Sequence, residues 1–246
     1  MRWRVLLDEF PSADEQMAFD VRLAYEASPT LRLFRWAAPT ISLGYTQRPF
    51  RWMHSPSLRE SGIALIKRPT GGGVAFHGSD LSFSVVMPHD PRHRLAELVE
   101  PIGQTLVRVC DRLGVSVRWL DQVSVHRTIT YCHLEPSSYA LMAGSRKLCG
   151  LAIRRYPESW LLQGLFLVRP LPSVLLQVIP EDLASTLLAH AVALQELVMA
   201  PLDVLEVRGR LLDAWRMVGG VSRPLEPALR LDDEDGLRVS TVSHAM

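Results

Sequence analysis

The sequence predicts an α+β fold, a mixed and largely antiparallel sheet flanked by helices. Three observations predict it. Short strand-like runs crowd residues 31–168, regular helices do not alternate with them, and helical periodicity takes over in the C-terminal quarter. A doubly wound parallel sheet needs a helix between successive strands, and that rhythm is missing. The chain is long enough, at 246 residues, to bury one large core. Residues 1–230 are therefore expected to form a single domain. Residues 231–246 are polar, carry the acidic run 232–235, and are expected to be a mobile tail.

Taken in order, residues 3–7 form a first strand candidate. Ser12 followed by Glu15 reads as a capping box that opens a helix, with Met17, Ala18, Val21, Ala24 and Tyr25 on one face. Residues 31–36 and 40–45 are rich in β-branched and aromatic side chains and read as strands joined by a turn at Pro39. Residues 64–67 make a short strand that enters a glycine-rich turn at 71–73, and residues 81–87 make a strand that stops at Pro88. Between 94 and 113, Leu95, Leu98, Val99, Ile102, Leu106, Val109, Cys110 and Leu113 recur at helical spacing. Residues 115–119 are strand-like. Strands over 139–143 and 147–154 flank a tight turn at Gly144 and Ser145, and 160–168 is a further strand. From Glu181 the period becomes helical: Leu183, Leu187, Ala191, Leu194 and Val198 share one face, and Val204, Val207, Leu211 and Trp215 another.

Composition narrows the function. A formal net charge of +1 without a concentrated basic run gives no reason to expect nucleic-acid or membrane-surface binding. The apolar start is broken by Asp8 and Glu9, too early for a signal peptide or a membrane span. Three cysteines make a disulfide framework improbable on parity, and a reducing cytoplasm with free thiols is the expected setting. The cysteines and scattered histidines lack the spacing of a zinc site.

Three segments carry chemistry. Arg68-Pro69-Thr70-Gly71-Gly72-Gly73 leads through Val74-Ala75-Phe76 to His77, a glycine turn able to take positive φ and approach a ligand closely. Its glycine spacing fits neither a dinucleotide fingerprint nor a P-loop; a plain hairpin loop and an acyl, phosphate or nucleotide site both remain open. Cys132 lies in a polar, loop-like stretch, where a reactive thiol and a tolerated one are equally compatible with the sequence. Cys110 falls on an apolar helical stripe and Cys149 in a strand, so both are expected to be packing. Gly144-Ser145-Arg146-Lys147 reads as a turn whose lysine is a solvated residue or, beside a thioester, an oxyanion donor.

In this order the three segments resemble the lipoate/biotin ligase and octanoyltransferase superfamily, and within it the LipM-type octanoyltransferases. The glycine loop with Asp80-Leu81-Ser82-Phe83-Ser84, the stretch Gln16-Met17-Ala18-Phe19-Asp20, and Pro39-Thr40-Ile41-Ser42-Leu43-Gly44-Tyr45 all contribute to the likeness. Cys132, then Pro136-Ser137-Ser138-Tyr139, then Arg146-Lys147 follow the LipM order; the LipB type has its cysteine downstream of the lysine. Leu151 and Ile153 stand where the family carries Ser and Gln, and Leu162-Gln163-Gly164-Leu165 replaces a Leu-Gln-(His)-Gly-Ser pattern.

The resemblance implies a single acyltransferase domain in lipoate biosynthesis. It implies that Cys132 takes octanoate from octanoyl-acyl carrier protein, and that Lys147 is a cation favouring the thiolate and a donor to the developing oxyanion. Arg68, Thr70, Gly71, Gly72, Gly73, His77, Ser84, Gly150 and Ala152 are the implied acyl-binding positions. The implied acceptor is a lysine of a lipoyl domain, such as the glycine cleavage H protein or a 2-oxoacid dehydrogenase E2. No cofactor, nucleotide or metal is implied. Two rival readings stay open: an ATP-dependent lipoate ligase that needs no cysteine, and a lipoyl-domain or acyl-binding pseudoenzyme, which Leu151 and Ile153 favour.

Overall fold

The computed structural model describes residues 3–7, 9–121, 129–134, 137–218, 229–232 and 236–239. In chain order its first elements are β1 (Arg4–Leu6), α1 (Ala13–Glu26), β2 (Thr30–Phe34), β3 (Thr40–Leu43), α2 (Pro56–Glu60), β4 (Ala64–Lys67), β5 (Ala75–His77) and β6 (Asp80–Pro88). There follow α3 (Leu95–Arg112), β7 (Arg118–Leu120), β8 (Ala140–Ala143), β9 (Arg146–Arg155) and β10 (Ser159–Leu167). The chain continues through α4 (Ser173–Val178), α5 (Glu181–His190), α6 (Val204–Val218), β11 (Leu229–Asp232) and β12 (Gly236–Val239).

Seven strands form the large sheet in the order β1-β2-β6-β10-β9-β8-β7, and three form a small sheet in the order β4-β3-β5. Only β1–β2 and β3–β4 run parallel within these two sheets. This is the mixed, largely antiparallel sheet expected from the sequence. Central β6 is buried from Asp80 to Met87, because both its faces are covered. Its Leu81, Phe83, Val85 and Met87 belong to the main core with α3 and α6, together with Ile102, Leu106, Leu211 and Trp215. Helix α1 covers the other face through Leu23 and Ala24 against Leu6, Val86 and Leu161. The small sheet buries Ile41, Leu43 and Phe76 against Leu175 of α4 and Leu183 and Leu187 of α5.

The structure corrects several expectations. Helix α1 does begin with a capping box, Ser12 accepting from the Glu15 amide and Glu15 from the Ser12 amide. Its buried face, however, is Gln16, Met17, Asp20, Leu23 and Ala24, whereas Ala18 and Tyr25 are exposed. Polar residues turn inward because Arg32 of β2 receives them in an ion pair described below. The stripe expected to run from Leu183 to Val198 on one helix stops at His190. Ala191 is already extended, bridging Lys147, and Leu194 reaches the main core from a short 3-10 turn. The strands on either side of Pro39 enter different sheets. The short α2, α4 and β5 had no counterpart in the sequence reading. Within the expected tail, Leu231 and Asp232 end β11, which pairs antiparallel with β12; the rest of 231–246 outside Gly236–Val239 lies outside the described residues.

Candidate active site

Strand β4 delivers Arg68 into the protein, where only 5% of it is exposed. Its Nη2 donates to the Gly71 and Gly73 carbonyls at 2.7 and 2.6 Å, and Nη1 to the Ser42 carbonyl at 3.1 Å, so one guanidinium fixes both ends of the glycine turn. Gly72 adopts φ +85°, a conformation costly to any residue with a Cβ. The turn is pressed from both sides. A Cβ on Gly44 would lie 2.0 Å from the Gly72 oxygen, and one on Gly73 2.6 Å from the Thr130 carbonyl carbon.

That second approach seats the cysteine. The Val74 amide donates to Thr130 O at 2.9 Å, and the Cys132 amide to Val74 O at 2.7 Å, so 130–132 docks on the turn as a strand-like bridge. Half-buried Cys132 donates its Sγ–H to Gly73 O at 3.2 Å, and Arg68 Nη2 stands 3.5 Å from Sγ. Cys110 and Cys149 are buried instead. Burial pushes the Cys110 thiol up to about 12, with Asp111 adding to it, and burial likewise raises Cys149. Neither has the thiolate character of a nucleophile near neutrality.

Lys147, 5% exposed, donates from Nζ to Ser137 Oγ at 2.8 Å. A Cβ on Gly150 would meet Lys147 Cε at 3.0 Å, so the glycine makes room for this side chain. Cys132 and Lys147 line one cavity that opens to the surface. Its walls are mostly apolar, with Met17, Phe34, Trp36, Phe83, Leu151 and Leu165 among the lining residues.

Two buried polar networks support the walls. In the first, Ser42 Oγ lies 2.8 Å from His77 Nε2, and His77 Nδ1 3.2 Å from Asp80 Oδ2. Asp80 also accepts from the Gly78 amide and from Ser82 Oγ, which in turn accepts from Trp36 Nε1. Burial works to raise the Asp80 pKa, but the His77 imidazole and these donors outweigh it and hold the carboxyl below its ordinary value. In the second, Arg32 and Asp20, both fully buried, pair at 2.7 Å. Arg32 also bonds to Gln16, Asp20 receives Ser84 Oγ and Gln163 Nε2, and Gln163 Oε1 accepts from Thr70 at 2.6 Å.

The cavity is thus bordered by Arg68, Gly72, His77, Cys132, Lys147, Gly150 and Ala152 among the residues singled out in the sequence. Thr70, Gly71, Gly73 and Ser84 do not border it. Thr70 and Ser84 belong to the second network, and the two glycines hold Arg68 through their carbonyls. Ser42, Ser137 and Gln163 border the cavity too; each lies in a stretch quoted for the resemblance but is not among the implied acyl-binding positions. Gln163 had a legible signal, being a lone polar residue within an apolar strand. Pro136 of the Cys-to-Tyr motif lies outside the described residues. Among the described residues no cluster of His, Cys, Asp or Glu is arranged to hold a metal ion, and no helix is long and apolar enough to cross a membrane.

Residues 11–216 match the lipoyl protein ligase A/B catalytic domain. The chain belongs to that family. Among relatives within the lipoyl ligase family, octanoyltransferase LipM of Kyrpidia tusciae is 32% identical, the match covering 92% of this chain and 89% of the relative. Octanoyltransferase LipM of Moorella thermoacetica is 31% identical over 62% of this chain and 60% of its own. A lipoate-protein ligase A bound with ATP shares the fold with a TM-score of 0.73 at 23% identity, covering 92% of this chain and 89% of the other. The bi-partite lipoate protein ligase of Thermoplasma acidophilum, described with its E2 lipoyl domain, shares it at 0.71 and 20% identity, covering 92% and 87%. The fold and the lipoyl ligase family expected from the glycine loop and the motif order are therefore established.

Proposed function

We propose that the chain is an octanoyltransferase of lipoate biosynthesis that works through a thioester on Cys132, carrying octanoate from acyl carrier protein to a lysine of a lipoyl domain. The observation that supports this reading most is the placement of the one non-core cysteine at an apolar cavity together with a buried lysine. In the first half-reaction Cys132 Sγ attacks the donor carbonyl carbon. A new S–C bond forms, the donor C–S bond breaks, and the thiol proton leaves on the carrier thiol. Lys147 Nζ donates to the carbonyl oxygen as charge builds on it, a contribution typically worth about 10²–10³ in rate. In the second half-reaction the neutral acceptor amine attacks the same carbon. An amide N–C bond forms, the S–C bond to Cys132 breaks, and the proton given up by nitrogen returns to sulfur.

The test is transfer of octanoate from octanoyl-acyl carrier protein to a purified lipoyl domain, followed by the mass of the lipoyl domain. Cys132→Ala is expected to abolish transfer, and Lys147→Met to slow it by about 10²-fold or more with the fold intact. Lipoylation from free lipoate and ATP that survives Cys132→Ala would establish the ligase reading instead. Binding of the lipoyl domain without any modification would leave a pseudoenzyme.

A further inference from the structure

Arg68, Ser42, His77 and Asp80 form one unbroken buried chain that ends on the nucleophile. From the far end, Asp80 Oδ2 faces His77 Nδ1 at 3.2 Å, and His77 Nε2 faces Ser42 Oγ at 2.8 Å. Ser42 Oγ then lies 3.2 Å from Arg68 Nη1, whose sister Nη2 is 3.5 Å from Cys132 Sγ. A carboxylate only accepts, so a hydrogen on His77 Nδ1 points to Asp80. A guanidinium only donates, so Ser42 Oγ accepts from Arg68 Nη1 while its other side meets His77 Nε2. The imidazole plane is fixed by Trp36, whose ring lies 4.4 Å from it at 32°.

The fork has a second set of partners, the carbonyls of Gly71 and Gly73. Gly73 O is also the acceptor of the Cys132 thiol. Once the thiol ionises, Gly73 O and sulfur are both acceptors and repel, while the N–H groups of Arg68 attract the sulfur. Among the described residues, the groups of charge or titratable character around Cys132 are Arg68, Lys147, the His133 next to it and Cys149, with His77 and Asp80 behind Ser42. Of these, Arg68 has its donor nitrogen within reach of Sγ, and it is held there by five hydrogen bonds to Ser42, Gly71, Gly73 and Cys132.

We propose that Arg68 is the cation that receives the Cys132 thiolate, and that Asp80, His77 and Ser42 are positioning residues that set its guanidinium. This rests on Cys132 being the nucleophile. Lys147 is then left to the carbonyl oxygen, and His77 is a relay member rather than the base for the thiol. With Nη1 on Ser42 and Nη2 shared among the Gly71 and Gly73 carbonyls and the sulfur, the planar fork serves more acceptors than the three N–H groups of a lysine could, which explains why arginine occupies position 68.

The experiment is the pH profile of Cys132 alkylation by iodoacetamide in the full chain, with Cys110→Ala and Cys149→Ala as background so that one thiol reports. Compared are wild type at 68, Arg68→Lys, Arg68→Met and Ser42→Ala, the last removing a single oxygen. The Arg68 variants are expected to react about tenfold more slowly near neutrality, their profiles moving up by about one pH unit, and Ser42→Ala to move the same way, while the plateau rate at high pH stays the same. Ser42→Ala is expected to shift less than Arg68→Met. A purely structural role would change the plateau by altering access and leave the midpoint in place. Profiles of Ser42→Ala and Arg68→Lys that superimpose on the parent, or that differ only in plateau, overturn the proposal. Alkylation needs no acyl donor, so this outcome is separate from failure of the acyl-enzyme itself.

Discussion

At the scale of single residues, the three cysteines show how placement decides chemistry. Cys110 sits within the apolar interface of α3, where burial lifts its thiol to about 12. Cys110→Ala is expected to cost about 1 kcal/mol of stability and to leave transfer unchanged, read from urea unfolding and the transfer assay. Cys132 differs because a backbone bridge, not a hydrophobic stripe, holds it. Its neighbour His133 is 3% exposed, with neither ring nitrogen hydrogen-bonded. Burial, with help from the nearby His77, Lys147 and Arg68, pushes its pKa down to about 3 from an ordinary 6.5. The sign follows: below about 6.5 the unfolded chain takes up a proton that the folded chain refuses until about 3, so the contribution is whole above 6.5 and lost as pH falls. Stability is therefore expected to decline by up to about 1.4 kcal/mol per pH unit through this window on account of His133 alone. His133→Leu should flatten the slope of unfolding free energy between about pH 6 and pH 4; an unchanged slope would mean that the imidazole titrates normally.

At the scale of elements, the glycine turn is a spacing device. Gly73 admits the backbone of Thr130 and Tyr131, whereas a Cβ on Gly71 would meet nothing within 4 Å. Gly73→Ala must push 130–132 off Val74 and displace Cys132, and it is expected to lower transfer by about 10²-fold with little change in melting temperature. Gly71→Ala is expected to retain transfer within about twofold. Equal effects of the two would show that the turn acts by flexibility rather than by close approach. Elements of this length explain what was legible. Strand β4, the β8–β9 hairpin with its turn at Gly144, and β10 were readable because apolar runs are cut by glycine and proline. Helices α2 and α4 span five and six residues, too few to display a period. The inward face of α1 was misread because its deciding residues, Gln16 and Asp20, are polar, and hydrophobic periodicity does not register a buried ion pair.

At the scale of the whole molecule, the site exists only where the two sheets meet. Ser42 and His77 come from the small sheet, and Gly150, Ala152 and Gln163 from the large one. Their juxtaposition is not visible in one sequence, because residues such as Asp20 and Gln163 touch across 143 positions. Cys132 and Lys147 were legible as types in a motif, and their common cavity follows from the β8–β9 hairpin folding back on the bridge to Val74. The Arg32–Asp20 pair anchors this assembly, since the same Asp20 holds Gln163 and, through it, Thr70 of the glycine turn. Arg32→Met leaves a buried carboxylate uncompensated and is expected to cost about 3–5 kcal/mol in urea unfolding. A loss below about 1 kcal/mol would show that the pair is dispensable.

The central claim, a covalent acyl-enzyme on Cys132, is tested most directly by intact-protein mass spectrometry. The purified chain is mixed with octanoyl-acyl carrier protein in the absence of a lipoyl domain. The account predicts a mass increase of one octanoyl group on the wild type, discharged when a lipoyl domain is added and absent from Cys132→Ala. No adduct on the wild type, under conditions where octanoate still reaches the lipoyl domain, would contradict it.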